Sequence, residues 1–285
     1  MSSVGEELQR RGLTDPEVLE LFRKAQQNLI GIVERSSSGR FQAVRQQQIR
    51  ELEREIAILA KKLKQWSKQE IPRIVRAGAD ETLEKIEAFD ESDFGFKFAG
   101  VSDKAIRALT EQAAMEFGNT LIMLKRNSER AMMNKALLQQ KIRESVVQGS
   151  SVVRTQTELM DVLKNDGIAV LRTSNGRNLS LLGYTNTLVR SQQMSAYNTG
   201  ARLQMLAAGR RFAIFPKIVP DIDGNDVCNE WEKKKYIDLK RDPLPPFSTH
   251  PNCRHTPIPV SFAQLKRERP DLYAIAVRDF RAAAE

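Results

Sequence analysis

Ile49-Arg50-Glu51-Leu52-Glu53-Arg54-Glu55-Ile56-Ala57-Ile58-Leu59-Ala60-Lys61-Lys62-Leu63-Lys64-Gln65-Trp66 is the stretch that decides the fold. Its main apolar residues, Ile49, Leu52, Ile56, Leu59, Leu63 and Trp66, recur at spacings of 3, 4, 3, 4 and 3. That is a heptad seam on a helix, with charged side chains filling the other faces. A seam about two residues in seven wide calls for one narrow partner helix rather than a broad core. Upstream, Thr14-Asp15-Pro16-Glu17 has the spacing of a capping box. Val18, Leu19, Leu21, Phe22, Leu29, Ile30 and Val33 then follow with helical recurrence until Ser36-Ser37-Ser38-Gly39. Pro72 is expected to end or kink the seam helix. A loop carrying Phe94, Phe96 and Phe98 follows, and Ser102 caps a second long helical stretch that runs to about Gln148. Two long helices joined by a loop pack most simply as an antiparallel hairpin.

Beyond Gly149-Ser150-Ser151 the pattern changes. Apolar runs at 168–172 and 178–182 flank Ser174-Asn175-Gly176-Arg177, the signature of a β-hairpin, because Asn and Gly both tolerate positive φ. A helix is expected from about Tyr184 to Ala208, then a strand from Phe212 to Val219 with Pro216 favouring a sheet edge. The tail from Asp221 reads as proline-rich loop until a helix near Phe262. The expected fold is mostly α: long helices over residues 1–150, then a small α+β domain over 151–285.

Composition narrows the function classes. The chain has 285 residues, 45 Lys+Arg, 36 Asp+Glu, 41% hydrophobic residues and two cysteines. This excludes a disordered chain and a disulfide-built scaffold. No run of about 18 apolar residues is present to span a membrane. The N-terminus carries no basic-then-apolar signal, so export is not expected. Residues 1–119 have net charge −1 and residues 120–285 have +10. That imbalance points to a polyanionic partner for the C-terminal part, with Arg210-Arg211, Lys233-Lys234-Lys235, Lys240-Arg241 and Lys266-Arg267 as candidate phosphate contacts. No base-reading motif is present, so such binding would be blind to sequence.

Both cysteines and both histidines fall within 28 residues: Cys228, His250, Cys253 and His255. Thiolate and imidazole are the ligands tetrahedral zinc prefers, and four of them would close a structural site. The spacing leaves three bondings open: zinc, a Cys228–Cys253 disulfide, or neither. Asp221-Ile222-Asp223-Gly224-Asn225-Asp226 reads as a polar turn, since a calcium loop needs glycine where Asp226 stands. No phosphate-binding Gly-rich loop and no Gly-x-Ser-x-Gly occurs.

Several of these features occur together in a known family. Gly176-Arg177 lies in a hairpin, followed by the helix Leu188-Val189-Arg190-Ser191-Gln192-Gln193-Met194-Ser195-Ala196-Tyr197-Asn198-Thr199-Gly200, the apolar strand, and Cys228. The hexapeptide His250-Pro251-Asn252-Cys253-Arg254-His255 closes the run. This segment, from about Ile168 to Pro259, resembles the C-terminal domain of the minor capsid (head morphogenesis) proteins of tailed bacteriophages. Many relatives carry a second cysteine where this chain has Trp231, and a final cysteine where it has His255. The resemblance implies a non-enzymatic virion component, made in the host cytoplasm and placed inside the capsid near the portal vertex. Its implied partners are the portal protein, a scaffold or major capsid protein, and packaged DNA. Two rival readings are a sequence-independent DNA-binding protein and a zinc-dependent nuclease. The nuclease would have no histidine left as general base if both were ligands.

Overall fold

The computed structural model describes residues 16–35, 42–89, 101–147, 170–172, 178–216, 228–242 and 255–284. The protein is mostly α. Its helices are α1 (Pro16–Arg35), α2 (Gln42–Glu87), α3 (Asp103–Val147), α4 (Leu181–Ala207), α5 (Cys228–Lys234), α6 (Phe262–Glu268) and α7 (Pro270–Ala284). Its strands are β1 (Val170–Arg172), β2 (Asn178–Ser180), β3 (Phe212–Ile214), β4 (Tyr236–Asp238) and β5 (Ile258–Pro259). Among the described residues no helix is long and apolar enough to cross a membrane.

The chain forms two compact units that do not follow chain order. One is drawn from Lys68–Glu111 and Thr187–Glu285, the other from Asp15–Ser67 and Gln112–Asn186. Each segment expected as a domain therefore contributes to both units. The expected boundary near residue 150 lies outside the described residues.

In the second unit the heptad seam finds two neighbours rather than one. Asn28 of α1 donates to Glu55 of α2 at 2.9 Å, and Lys125 of α3 pairs with Glu53 of α2 at 2.7 Å. Trp66 meets Phe117 edge-on, with ring centroids 5.6 Å apart. As the α2 index rises from 53 to 66, its α3 partner falls from 125 to 117, so the two helices run antiparallel. Leu52, Leu59, Leu63 and Trp66 are buried, as are Val18, Phe22 and Leu29 of α1 and Phe117, Leu121 and Leu124 of α3. The polar residues inside this core are hydroxyls that need no outside partner. Ser67, Thr120 and Ser128 each donate to the carbonyl four residues back. Ser102 caps α3 by accepting from the Ala105 amide at 3.3 Å. Pro72 does not end α2, which continues to Glu87. Strands β1 and β2 pair antiparallel, Val170 opposite Ser180, around the Asn175-Gly176 turn, which itself lies outside the described residues.

The first unit holds a three-stranded antiparallel sheet in the order β4-β3-β5. Strand β3 is central, contrary to the edge expected from Pro216. That proline falls beyond the last strand residue, and the sheet's proline is Pro259 on edge strand β5, where no amide is needed. Period-two alternation sends Ala213, Phe215, Ile237 and Leu239 into one core with Ala201, Met205 and Ile86. It sends Phe212 and Tyr236 into another with Val260, Phe262, Leu265 and Ala276. Both faces of the sheet are covered, which explains why the β3 region reads as an unbroken apolar run. The tail is also more ordered than loop. It adds α5, whose Glu230 near the start and Lys233 and Lys234 in the last turn suit the helix dipole. Ser261 caps α6, accepting from the Gln264 amide at 3.0 Å.

An ion cluster ties α7 to the sheet. Arg211, nearly buried, forks onto Asp238 at 2.6 Å and reaches Asp279 of α7 at 3.0 Å, and Lys240 also bonds Asp279. Burial alone would raise the Asp238 carboxyl, but hydrogen bonds from Arg211 and from the Lys240 and Arg241 amides outweigh it and hold it below the usual range. Burial also works against ionised Asp279, and Lys240 and Arg211 likewise outweigh it. The cluster therefore contributes stability that is present above the ordinary carboxylate range and is lost as pH falls through the lower folded values. Asp279→Asn should lower the urea midpoint at pH 7 and have little effect near pH 2. An equal loss at both pH values would mean that the cluster is not electrostatic.

The first unit's α2–α4 crossing is backbone against backbone. A Cβ on Gly200 would stand 1.9 Å from the Val75 carbonyl oxygen, and one on Gly78 would stand 2.2 Å from that of Tyr197. No rotamer relieves a clash with main chain. Gly200→Ala should therefore cost about 2 kcal/mol or more, read as a lowered urea midpoint. An unchanged midpoint would show that the helices can separate freely.

Candidate functional site

Helix α4 carries the resemblance's central segment, and its buried face is unusually polar. Thr185, Gln192, Gln193, Asn198 and Gln204 are all buried. In the first unit, Tyr197 donates from its hydroxyl to Glu81 of α2 at 2.7 Å. Burial and then that bond push the phenol far above its ordinary value, so Tyr197 stays a neutral donor. One residue on, Asn198 donates through Nδ2 to the backbone carbonyl of His255 at 2.9 Å. The amide-rich helix thus grips the last residue of the His250–His255 signature.

His255 is buried and held on several sides. Its ring stacks on Phe215, the residue after β3, with centroids 4.4 Å apart and planes 16° from parallel. Its Nε2 lies 2.8 Å from Glu232 Oε1 on α5. An ionised carboxylate only accepts, and opposite one Nε2 is the nitrogen that carries the proton. Both side chains are about nine-tenths buried. Glu232 stands four residues after Cys228, one helical turn along α5. Cys228 is 1% exposed and belongs to the same core cluster as Phe215. Trp231 packs at the edge of that cluster, its ring 6.5 Å from Phe215.

Of the four Cys/His candidates, the structure describes Cys228 and His255 and brings both to Phe215 and α5. His250 and Cys253 lie outside the described residues, as does the Asp221–Asp226 turn. Among the described residues no group of three or more His, Cys, Asp or Glu side chains has the arrangement of a metal site. The Glu232–His255 contact fits two roles. A carboxylate on one ring nitrogen is the usual outer partner of a metal-bound imidazole, and it equally fixes a histidine that only holds the fold. Sequence reasoning missed Glu232, Asn198 and Phe215 as partners of the turn. A carboxylate one turn after Cys228 is the available signal, but seven residues are too few for the sequence to announce the helix that carries it.

The candidate phosphate contacts of the C-terminal part are largely occupied within the protein. Arg210 is buried with its guanidinium 4.1 Å from the Phe262 ring centroid, and Arg211 is held by Asp238 and Asp279. Lys235 pairs with Glu268 at 2.7 Å, and Arg267 pairs with the same carboxylate. Hydrogen bonds from Lys235 and then Tyr236 hold Glu268 down to about 2, while burial and that bond push Tyr236 up to about 12. Lys234 sits 4.1 Å from the Trp231 ring centroid. These cations complete the fold before they meet any partner.

His255→Ala would remove a ring stack and a buried hydrogen bond together, at a cost of about 2–4 kcal/mol. Glu232→Gln keeps the shape and should cost less. Equal stability of all three proteins in urea would show that the turn is not held through His255. Comparison of the chain with protein-family models, curated proteins and solved structures finds no match.

Proposed function

We propose that this chain is a minor head protein of a tailed bacteriophage, a non-enzymatic component of the capsid interior beside the portal vertex. It acts there in head assembly or in packaging and delivery of the genome. The observation that carries this reading is the setting of His255. The closing residue of the hexapeptide that most resembles the family is tied by Asn198, Phe215 and Glu232 to the helix, strand and α5 that precede it in the same resemblance. A histidine whose ring and carbonyl are spent on holding elements together is a structural staple, which suits a docking protein better than a catalyst. The paired long helices α2 and α3 offer extended faces for a ring of portal helices, and a net charge of +9 suits the neighbourhood of packaged DNA. Zinc at Cys228, His250, Cys253 and His255 would be a second way of closing the same turn, with Glu232 as the outer partner of His255.

Purified heads provide the test. Mass spectrometry of heads assembled with this chain should find a few copies per particle, and an asymmetric cryo-EM reconstruction should place its density at one vertex. Heads that assemble and package normally without the chain, or density spread over every capsomer, would reject the reading. Metal analysis of the purified protein separates the two forms of the turn. About one zinc per chain, with unfolding by a chelator, is expected for the metal form, and neither for the metal-free one.

A further inference from the structure

Net charge hides where the cations of the N-terminal part stand. Residues 1–119 sum to −1, yet Ile56–Gln69 of α2 contains Lys61, Lys62, Lys64 and Lys68 and no acidic residue. Each helical residue turns by about 100°, so Arg54, Lys61, Lys64 and Lys68 fall within a sector about 80° wide and about 21 Å long. That sector lies opposite the buried Leu52, Leu59, Leu63 and Trp66, and all four cations are exposed. Among the described residues none of the four makes an ion pair. Of the neighbouring acids, Glu53 and Glu55 are engaged by Lys125 and Asn28, and Glu51, three residues before Arg54, forms no ion pair with it among the described residues. Some exposed cations elsewhere are paired, Arg73 with Glu70, Lys235 with Glu268 and Lys240 with Asp279, so it is the alignment of four cations on one helix face that sets this stretch apart.

A row of aligned, unmatched cations repels itself, and a solvated face would ordinarily intersperse carboxylates at the i+3 and i+4 positions. We propose that this face of α2 docks on the sugar–phosphate backbone of duplex DNA. The face is rich in lysine, and the nearest exposed large apolar residue, Ile58, lies about 40° beyond its edge. Protein–protein interfaces are depleted in lysine and need an apolar or aromatic centre, whereas phosphate backbones are met by flexible point charges. An acidic protein surface is therefore the poorer occupant. The identity of the polyanion as DNA rests on the function proposed above; the surface itself rests only on charge and exposure. It belongs to α2 and not to the basic C-terminal residues that the charge count singles out and that the fold largely neutralises.

The test uses the full-length chain and fluorescent duplexes of two unrelated sequences, with binding followed by anisotropy from about 50 to 200 mM salt. Lys61→Gln, Lys64→Gln and Lys68→Gln together should weaken binding at least about tenfold at the lowest salt. They should also flatten the slope of log K against log salt by about 2–3, since each phosphate contact contributes about 0.9. Both duplexes should be affected alike. The control combines Lys233→Gln, Arg241→Gln and Arg278→Gln, an equal charge change on exposed residues of the C-terminal part. It should alter affinity by less than about threefold. Circular dichroism confirms that each triple variant keeps its helices, and single Lys64→Gln and Lys68→Gln variants serve if a triple does not fold. Unchanged binding by the stripe variant, an equal loss in the control, or no DNA binding by the parent chain would overturn the proposal. So would a variant that loses poly-glutamate but keeps DNA, which would assign the face to an acidic protein. Whether the chain is found in heads is measured separately, so either reading can fail without the other.

Discussion

The crossing of α2 and α4 at Gly78 and Gly200 is the constraint on which the first unit depends. Each glycine faces a carbonyl oxygen of the other helix so closely that no side chain fits between them. Two helices that touch through main chain have little freedom to slide, because a shift of one residue would bring a Cβ into the gap. That contact sets the height of Tyr197, which bonds Glu81 across it, and of Asn198, which is turned to the His255 carbonyl. The position of His255 thus follows from a pair of glycines far from it in sequence. Small residues in the middle of α4 lower its helix propensity, and the close packing they permit offsets that loss.

Around that crossing the sheet is small but well supported. A strand of three residues cannot stand alone, and β3 is stabilised by a partner on each side and a covered face on each side. The last helix is then fastened by Arg211, whose charge is almost removed from water. A buried arginine is tolerable only if its donors are satisfied, and Asp238 and Asp279 do this in fork geometry. The carboxylates hold their charge against the cost of burial because they face two cations. The C-terminal helix is therefore held by polar bonds and by apolar packing together.

This arrangement changes the meaning of the basic excess. Counted along the chain, the positive charge belongs to the C-terminal part. Sorted by exposure and partner, much of it serves internal bonds there, while the outward face of α2 holds cations that no described residue pairs. Linear charge counts add residues on opposite sides of a helix as if they shared a surface. Only a helix whose buried side is known separates the two, and the heptad seam is what identifies the buried side of α2.

Periodicity was sufficient for the long helices, since the apolar spacing in Ile49–Trp66 and the cap at Ser102 are local signals that tertiary contacts reinforce. The hairpin strands 170–172 and 178–180 were readable for the same reason: turn chemistry is local. The proline at 72 does not end its helix, because a long, well-packed helix can carry one missing hydrogen bond. Before Phe262 the tail reads as loop because its elements, Cys228–Lys234, Tyr236–Asp238 and Ile258–Pro259, are too short for a period to register. Cys228 and His255 could be named as candidates from composition. Glu232, Phe215 and Asn198 could not, since nothing in a sequence announces which buried carboxylate, ring or amide will meet a turn 23 to 57 residues away. Local spacing determined the long helices and the hairpin strands by itself; the short elements of the tail, the glycine crossing, the two-sided sheet and the partners of His255 were decided only by packing, because each depends on contacts between residues that the chain keeps far apart.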